Sequence, residues 1–503
     1  LAGKYKKRKG KAKPHFSEPS QPILKDDTAQ CQSAIDNEAA DVFLPEAELA
    51  WHVRAWGRWV DERSRADLSS LYPITDGEPT VAYLWARTAR DKVEPYGRIP
   101  LLKTFWLCKK KGRRIAILPI PKPDRSGVDF GLLDENYLSN RMSKLLDDYP
   151  HLKNWDISAE NLNEFLNKGT MNRAGVWSPC TGRPGLIALS MDDLRRQGQQ
   201  GLLSAQMTSV VVEATALSRK KTYKKYRLPT KEEFEASHVE HETLMAAFAD
   251  IPFGLPEEPL PPVGTLGFRI PLYGFKKWRD LFTARQLLSL AVFVKHTRRA
   301  IEEIARAKQE DSQSKAEAVG AMLMIAISRL VGMSTNLCRW ENKSEFVCQV
   351  YARFALPMLW DYAEINPNSQ TTGNYMGGID WIVRYIEHAS FKAHQVIISR
   401  QSAISPQYKS KYDVVMTDPP YYNAIPYSDL MDIFFLWLRR TLWDEVKPYE
   451  SFFAEPMSPK WDHQHHDGEL IQDESRFGGD VEKAKKVYED GLARSFKLSL
   501  DSL

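Results

Sequence analysis

Apolar residues recur at three- and four-residue steps along much of this 503-residue chain, and this spacing predicts amphipathic helices. Leu49, Val53 and Trp56 follow the spacing in the first such stretch. Thr283 and Gln286 add a capping-box signature, which predicts that a long helix begins there. The predicted helices lie within residues 44–71, 191–205, 231–248, 280–294, 314–331, 340–360 and 379–388 and in the stretch that begins near Ser428.

Short apolar runs that are rich in β-branched residues predict strands. Residues 80–117 contain three such runs separated by turns, and shorter runs lie at 208–213 and 395–399. The run at 412–416 has the length and composition expected of a buried parallel strand. An open α/β sheet binds its ligands at the ends of such strands, so the residues that follow form the first candidate site. They are Asp418, Pro419, Pro420 and Tyr421.

The distribution of polar and apolar residues divides the chain into three regions. Residues 1–43 are polar and basic without sustained periodicity, which favours a disordered connector or, alternatively, an arm that contacts phosphates. Residues 44–262 predict a mixed α/β region that ends in a proline-rich connector. Residues 263–503 combine a helical region with the strand, loop and helix around Asp418.

Composition is ordinary for a soluble protein, with 43% hydrophobic and 27% charged residues. No run of purely apolar residues approaches the ~20 residues of a membrane span, so we expect no membrane partner. The five cysteines are scattered, and the basic first residues lack the apolar core of a signal peptide. A reducing cytoplasm is therefore the expected compartment.

The net charge of +4 is nearly balanced and does not by itself indicate a nucleic-acid partner. Basic residues nevertheless interleave with aromatic ones in residues 80–117 and again in residues 219–227, which read RKKTYKKYR. Such segments suit contacts with a phosphate backbone. The alternatives are a solvated turn in the first segment and a solvated linker in the second.

A polar segment near the carboxyl end contains several potential metal ligands. These residues are Asp462, His463, His465, His466 and Asp467. Their spacing on a loop follows no fixed ligand pattern, which favours a solvated surface over a metal site. We therefore predict no metal.

The residues after the run at 412–416 suit methyl transfer to the exocyclic amine of a nucleobase. The lone pair of that amine is delocalised into the ring, and acceptors on both of its hydrogens favour a more nucleophilic, pyramidal nitrogen. The Asp418 carboxylate and the Pro419 carbonyl supply two acceptors, and Pro419 and Pro420 restrict the backbone. Tyr421 offers a ring on which an extruded base can stack, a contact worth roughly 1–3 kcal/mol.

This motif resembles the catalytic motif of amino-methyltransferases that use S-adenosylmethionine. The longer stretch 421–440 is similar to the large adenine-specific DNA methylases of bacterial and archaeal phage-defence loci. Further segments are similar to the same family in the same order. They are residues 51–59, 71–73, 80–87, 264–269, 280–286 and 337–340. The likeness covers most of the chain from about residue 44.

The resemblance implies an α/β class, with a Rossmann-like S-adenosylmethionine-dependent methyltransferase fold into which a helical region and a small β region are inserted. It implies S-adenosylmethionine as cofactor, DNA as partner through residues 44–262, and other defence-system proteins as further partners. The implied reaction is methylation of adenine N6 in DNA, in restriction-modification or phage defence. Residues 263–503 would carry this chemistry.

The resemblance also assigns roles to single residues. Asp418, Pro419, Pro420 and Tyr421 would be the catalytic residues. The segment Gln401, Ser402 and Ala403 matches the place that contacts the adenosine end of the cofactor, although a plain turn after a strand explains it equally well. Tyr422 and Tyr427 would line the base pocket, or serve as structural aromatics of the loop.

The sequence departs from the family pattern in two places. We find no glycine-rich cofactor turn after a strand, and both ends look truncated, so we expect that turn to precede Leu1. Segments 91–97 and 178–182 match the family's zinc ribbon but retain only Cys180, too few thiols for a tetrahedral site, so we predict no zinc. Two other functions stay open, namely methylation of cytosine N4 and a non-catalytic DNA-binding subunit.

Overall fold

The protein is a mixed α/β protein, which confirms the broad fold class expected from the sequence. The computed structural model describes residues 49–140, 142–215, 222–307, 311–351, 354–369, 373–389, 398–406, 412–447 and 450–503. The connector predicted at 1–43, most of the strand predicted at 395–399 and the first residues of the basic run 219–227 lie outside these residues. Everything below concerns the unit Ala47–Leu503.

Twelve strands lie in the described residues. They are β1 (Thr80–Arg90), β2 (Arg98–Leu101), β3 (Trp106–Lys110), β4 (Arg113–Pro121), β5 (Val128–Leu133), β6 (Gly175–Val176), β7 (Leu189–Ser190), β8 (Ser204–Thr215), β9 (Thr222–Arg227), β10 (Arg339–Glu341), β11 (Phe346–Cys348) and β12 (Asp361–Ile365). The largest sheet has the order β12-β1-β8-β9, with β2 also paired to β1. Strands β3, β4 and β5 form a second sheet, and β6–β7 and β10–β11 form two hairpins.

Every ladder between the described strands is antiparallel. A Rossmann-like sheet is built from parallel strands joined by crossover helices. The finer fold class therefore stays a prediction. The three runs within 80–117 are strands as predicted, since β1 to β4 cover them with turns between.

The helices are distributed along the whole described chain. They are α1 (Leu49–Leu68), α2 (Glu135–Asn140), α3 (Met142–Asp148), α4 (His151–Asn154), α5 (Leu162–Lys168), α6 (Met191–Gln199), α7 (Lys231–Ser237), α8 (His241–Phe248), α9 (Ala284–Arg306), α10 (Ser312–Met333), α11 (Tyr375–His388), α12 (Tyr427–Leu442), α13 (Glu450–Phe453) and α14 (Val481–Asp501). Short 3₁₀ turns lie at Ile270–Tyr273, Trp278–Leu281 and Glu474–Phe477.

Four long helices form the helical core: α9 packs on α1 and α10, and α11 packs on α1 and α10. Gly57 in α1 permits the close approach of α11, because a Cβ atom there would lie 2.9 Å from Ile379. Phe293 and Tyr375 place their ring centroids 4.7 Å apart between α9 and α11. The predicted capping box is confirmed, since Thr283 accepts from the amide of Gln286 at the start of α9.

Helix α10 is the one described helix that is long and apolar enough to cross a membrane by length and composition alone. The expectation of no membrane partner was drawn from runs of purely apolar residues, and α10 was not among them because it also contains polar residues. Its residues are mostly buried inside the protein, and it packs against α1, α9, α11 and α12. This is the position of a core helix.

A buried ion pair joins the helical core to the largest sheet. Arg285 of α9 donates to the carboxylate of Glu364 in β12 at 2.7 Å, and both side chains are within 1% of full burial. Arg285 also donates to the backbone carbonyl of Leu71 at 3.0 Å. The pair therefore fixes α9 against the sheet. Removing either partner would destabilise the protein, because it would leave a buried charge without its counter-ion.

The helix predicted within residues 340–360 is wrong. Strands β10 and β11 form a hairpin there, in which Trp340 pairs with Val347. The hairpin docks on β3, where Trp340 donates through Nε1 to the carbonyl of Leu107 at 2.9 Å. Of the apolar residues that suggested a helical face, Val350 is buried, whereas Phe346 and Phe354 are exposed. Pairing between β10 and β11 outweighs the local spacing here.

The two segments that match a zinc ribbon meet in the structure without thiol ligands. The carboxylate of Asp91 accepts hydrogen bonds from Ser178 Oγ at 2.5 Å and from Thr181 Oγ1 at 2.6 Å. Asp91 and Ser178 are almost fully buried. Burial also raises the pKa of the adjacent Cys180 thiol to about 11, so that thiol stays protonated. Oxygen atoms thus join the two segments.

Candidate active site

The segment before Asp418 is extended but belongs to no strand, so the buried parallel strand predicted at 412–416 is wrong. Val414 is 71% exposed and Met416 is 91% exposed. Tyr412 donates its amide to the carbonyl of Ser502 at 3.0 Å, but the backbone of residues 413–418 forms no hydrogen bond within the described chain. A strand becomes buried only where neighbouring strands and helices cover it, and no described strand pairs with this one.

Tyr488 of α14 fixes the loop that follows. Its hydroxyl donates to the carbonyl of Pro420 at 2.6 Å and accepts from the amide of Tyr422 at 3.2 Å. The rings of Tyr422 and Tyr488 also meet edge to face, with centroids 5.1 Å apart. Gln472 donates its amide to the carbonyl of Tyr422 at 3.2 Å. Tyr422, proposed as a base-pocket residue, is therefore engaged in holding the loop.

The two acceptors proposed for catalysis are exposed directly before the part of the loop that Tyr488 holds. The Asp418 carboxylate is on the surface, and Pro419 is half-buried. Neither the Asp418 side chain nor the Pro419 carbonyl accepts a hydrogen bond from another described residue. Both acceptors are consequently available to a ligand, while the next carbonyl, that of Pro420, is occupied by Tyr488.

Tyr421 and Tyr427 lie side by side next to these acceptors. Their ring centroids are 6.3 Å apart, and the rings are 55% and 41% exposed. Desolvation, the neighbouring Tyr421 and the negative charge of Asp418 all raise the pKa of Tyr427, so the phenol lies within the electrostatic reach of that carboxylate. The structure thus brings together Asp418, Tyr421 and Tyr427 at one exposed aromatic patch.

An ion-pair network anchors the start of α12 directly after the loop. Glu469 accepts from the amide of Ser428 at 2.9 Å and from its hydroxyl at 2.5 Å. Arg476 pairs with Glu469 and with Asp429, each at 2.7 Å. All four side chains are largely buried. The network holds the helix that carries Tyr427 in a fixed position.

A second ion pair supports the same helix one turn further on. Lys460 pairs with Asp432 at 2.7 Å, and the amide of Ser458 donates to the same carboxylate at 2.9 Å. Burial raises the pKa of Asp432, and the charge of Lys460 only partly opposes that shift. Sequence reasoning missed both networks. The residues that contact α12 lie 26 to 48 residues from their partners on the helix, so no local pattern marks them.

Gln401, Ser402 and Ala403 line an open cavity of about 830 Å³. Its other walls come from residues 455–462, His465, Asp467 and Gly468, with Arg400 at the rim. Ser402 donates to Asp467 at 2.6 Å, which ties the segment to the opposite wall. The strand predicted just before this segment is not seen at 398–400, the part of it that is described.

The cavity and the aromatic patch are connected through one short piece of chain. Asp467 holds Ser402 on the cavity side, and Glu469, two residues later, holds Ser428 on the side of the loop. The residues lining the cavity do not include Asp418 or Tyr421. The described side chains therefore form two neighbouring features, and not one continuous pocket.

The histidine and aspartate side chains at 462–467 have separate partners. His465 Nδ1 lies 2.6 Å from the Asp462 carboxylate, and His463 Nε2 lies 2.8 Å from the carbonyl of Arg476. Asp467 accepts from Ser402 and Ser405. Among the described residues, no three potential ligands come together as a metal site would require.

Fold and site together define a mixed α/β protein with an exposed Asp-Pro-Pro-Tyr loop braced from behind by buried ion pairs. Comparison with known proteins adds no family to this description. No protein-family model matches the chain, and no significant match was found among curated proteins or solved structures.

Proposed function

We propose that this protein is a DNA methyltransferase that transfers a methyl group from S-adenosylmethionine to N6 of a flipped adenine. The observation that carries the proposal is the pair of unengaged acceptors, Asp418 and the Pro419 carbonyl, on a loop whose next carbonyl is fixed by Tyr488. In this proposal the whole chain has a Rossmann-like methyltransferase fold and works in the cytoplasm, in restriction-modification or phage defence with other defence proteins.

The geometry of the loop suits the amine of a nucleobase. Two acceptors on adjacent residues receive the two N–H groups, so the nitrogen lone pair turns away from the ring and towards the incoming methyl group. Tyr421 and Tyr427 supply exposed ring faces for a base that has left the duplex. The amine loses its proton readily after alkylation, so no strong base is needed.

The cavity beside Ser402 suits the adenosine half of S-adenosylmethionine. Its volume of about 830 Å³ is in the range of cofactor sites. Trp461 offers an indole face for the adenine, and Asp462 and Glu455 offer carboxylates for the ribose hydroxyls. When bound, the cofactor supplies an electrophilic methyl group. No glycine-rich turn after a described strand lines this cavity, so the chain's described residues fit only that half.

A second candidate function is a non-catalytic DNA-binding subunit of the same kind of system. It is favoured by the separation of the cavity from the loop that carries Asp418. Methylation of cytosine N4 is a variant of the first proposal, because that amine would meet the same two acceptors.

Replacing one acceptor tests the enzyme proposal. In an assay that follows transfer of tritium from methyl-labelled S-adenosylmethionine to duplex DNA, Asp418→Ala should lower the rate by about 100-fold or more. The affinity for DNA should change less than about twofold. Asp413→Ala is the matched control, since Asp413 is an exposed acid in the same segment without a described hydrogen bond.

Three outcomes would contradict the proposal. Methyl transfer by Asp418→Ala at the rate of the control would remove the proposed role of that carboxylate. Calorimetry that detects no S-adenosylmethionine binding, together with intact DNA binding, would favour the non-catalytic subunit. Digestion of the product to nucleosides that yields N4-methylcytosine and no N6-methyladenine would make cytosine the target base.

A further inference from the structure

Two basic segments that are far apart in the sequence meet around one buried carboxylate, that of Glu345. Lys110 at the end of β3 pairs with it at 2.5 Å, and Arg113 at the start of β4 pairs with it as well. Tyr226 of β9 donates its hydroxyl to the same carboxylate at 3.0 Å. Lys224 of β9 donates to the backbone carbonyl of Glu345. Glu345 itself is only 2% exposed.

Glu345 acts as a rigid centre for these cations. Burial alone would raise its pKa, but the hydrogen bond from Lys110 and the charge of Arg113 outweigh burial and lower the pKa below its ordinary value. The carboxylate is therefore ionised at neutral pH. Because Lys110, Arg113 and Lys224 all contact Glu345, their charges are held in place with little freedom left to lose on binding.

More positive charge surrounds this centre than it can neutralise. We call Lys109, Lys110, Lys111, Arg113, Lys224 and Lys343, gathered around Glu345, the Glu345 cluster. Burial and the nearby Lys343 lower the pKa of Lys109. Burial lowers the pKa of Lys224 too, and the charges of Lys110 and Arg113 add to that shift. Cations that depress one another's pKa in this way gain from a bound anion.

Nearby carboxylates cancel only part of the excess. Glu213 faces Lys224 across β8 and β9 and offsets one charge, whereas two other carboxylates are already paired. Glu341 pairs with Arg339 at 2.7 Å, and Glu78 pairs with Lys225 at 2.9 Å. Aromatic rings stabilise the arrangement from the side. Lys224 Nζ lies 5.5 Å from the ring centroid of Trp340.

We propose that the Glu345 cluster binds the phosphate backbone of duplex DNA. Its cations come from the facing ends of β3 and β4, the turn between them, β9 and the loop of the β10–β11 hairpin, so they form an array across several elements instead of a pocket for one anion. These elements belong to two sheets and a hairpin, so the charges are presented by several separate pieces of backbone, as contact with more than one phosphate requires. The inference rests on the proposed function only for the choice of DNA as the polyanion.

The salt dependence of DNA binding tests this assignment. The affinity of the full chain for a fluorescein-labelled 30-base-pair duplex would be measured by anisotropy between about 50 and 300 mM NaCl. The variant combines Lys111→Ala with Lys343→Ala, two exposed side chains with no described ion pair. The control combines Lys231→Ala with Lys486→Ala, which removes the same charge from exposed helix positions elsewhere.

We expect the slope of log K against log salt to become shallower by about 1.8 in the variant, since each lost phosphate contact contributes about 0.9. The control should keep the wild-type slope. Equal slopes in variant and control would overturn the proposal. So would polyglutamate binding that is as tight as DNA binding and is weakened in the variant, because it would point to an acidic protein partner.

The proposal about DNA binding and the proposal about methyl transfer can be contradicted independently in this experiment. A shallower slope in the variant supports the cluster even when the wild-type chain transfers no methyl group, which contradicts only the proposed enzyme. Methyl transfer at saturating DNA with an unchanged slope supports the enzyme and rejects the cluster as the DNA contact.

Discussion

The hydroxyl of Tyr488 donates a hydrogen bond to the carbonyl oxygen of Pro420 at 2.6 Å, although the two residues are 68 positions apart in the chain. Through this bond the last described helix, α14, braces the loop that presents Asp418 and the Pro419 carbonyl. Because the same hydroxyl also accepts from the amide of Tyr422, it holds the loop on both sides of Tyr421. Tyr488 is thus a positioning residue for the proposed reaction, and not a group that touches the base.

Loss of this one hydroxyl should slow methyl transfer without weakening DNA binding. We expect Tyr488→Phe to lower kcat by about 5- to 30-fold, because it removes two hydrogen bonds of about 0.5–1 kcal/mol each. KM for DNA should stay within about twofold. Tyr385→Phe is the control, since Tyr385 is 68% exposed on α11. A rise in KM with an unchanged kcat would show that Tyr488 serves binding and not positioning.

Exposure of the segment before Asp418 predicts that polar substitutions there are tolerated. Met416→Gln should change the free energy of unfolding by less than about 0.5 kcal/mol in urea titrations. A side chain that is already 91% exposed makes few contacts that the substitution could remove. Leu323→Ala in the core of α10 is the reference, with an expected loss of about 3 kcal/mol. A loss of that size for Met416→Gln would mean that the segment is buried in the protein as it exists in solution.

The pKa of Asp462 and the pKa of His465 should depend on each other. The hydrogen bond to Asp462 raises the pKa of His465, and hydrogen bonds from His465 and the backbone lower the pKa of Asp462 to about 2. The depressed acid stabilises the fold above its unfolded pKa of about 3.9, and loses that effect as pH falls towards 2. The raised histidine stabilises the fold below about pH 6.5, and loses that effect as pH rises through its folded pKa.

Nuclear magnetic resonance titration of histidine-labelled protein checks this assignment. Asp462→Asn should return the pKa of His465 to about 6.5, and the wild-type value should lie above it. The titration of His151 is the internal control, because burial lowers the pKa of that ring and its nitrogen contacts the backbone carbonyl of Pro119 and not a carboxylate. An unchanged His465 titration in Asp462→Asn would remove the pair.

Local signals in the sequence predicted most of the helices correctly. The box of Thr283 and Gln286 marks the first turn of α9, because both bonds of the cap form within four residues. Helix α12 begins at Tyr427, one residue before the position that its apolar spacing predicts. Such elements depend on neighbours in the chain, so the chain itself carries the information.

Elements that depend on distant partners were predicted less well. The apolar run at 412–416 has the composition of a buried strand, but strand formation requires a partner, and none of the described strands provides it. Residues 340–348 form a hairpin, which is held against β3 by the hydrogen bond from Trp340 to Leu107. In the same way the residues of the loop motif were visible in the sequence, whereas Tyr488, Glu469 and Arg476 behind it were not.

The junction between Asp91, Ser178 and Thr181 concentrates the contact between residues 91–97 and 178–182 on one side chain. Two hydroxyls donate to the same buried carboxylate oxygen, and burial keeps the nearby Cys180 thiol protonated. Hydrogen bonds that share one acceptor are lost together when that acceptor is removed. A single substitution at Asp91 would therefore remove both bonds at once, whereas a substitution at Thr181 would remove only one of them.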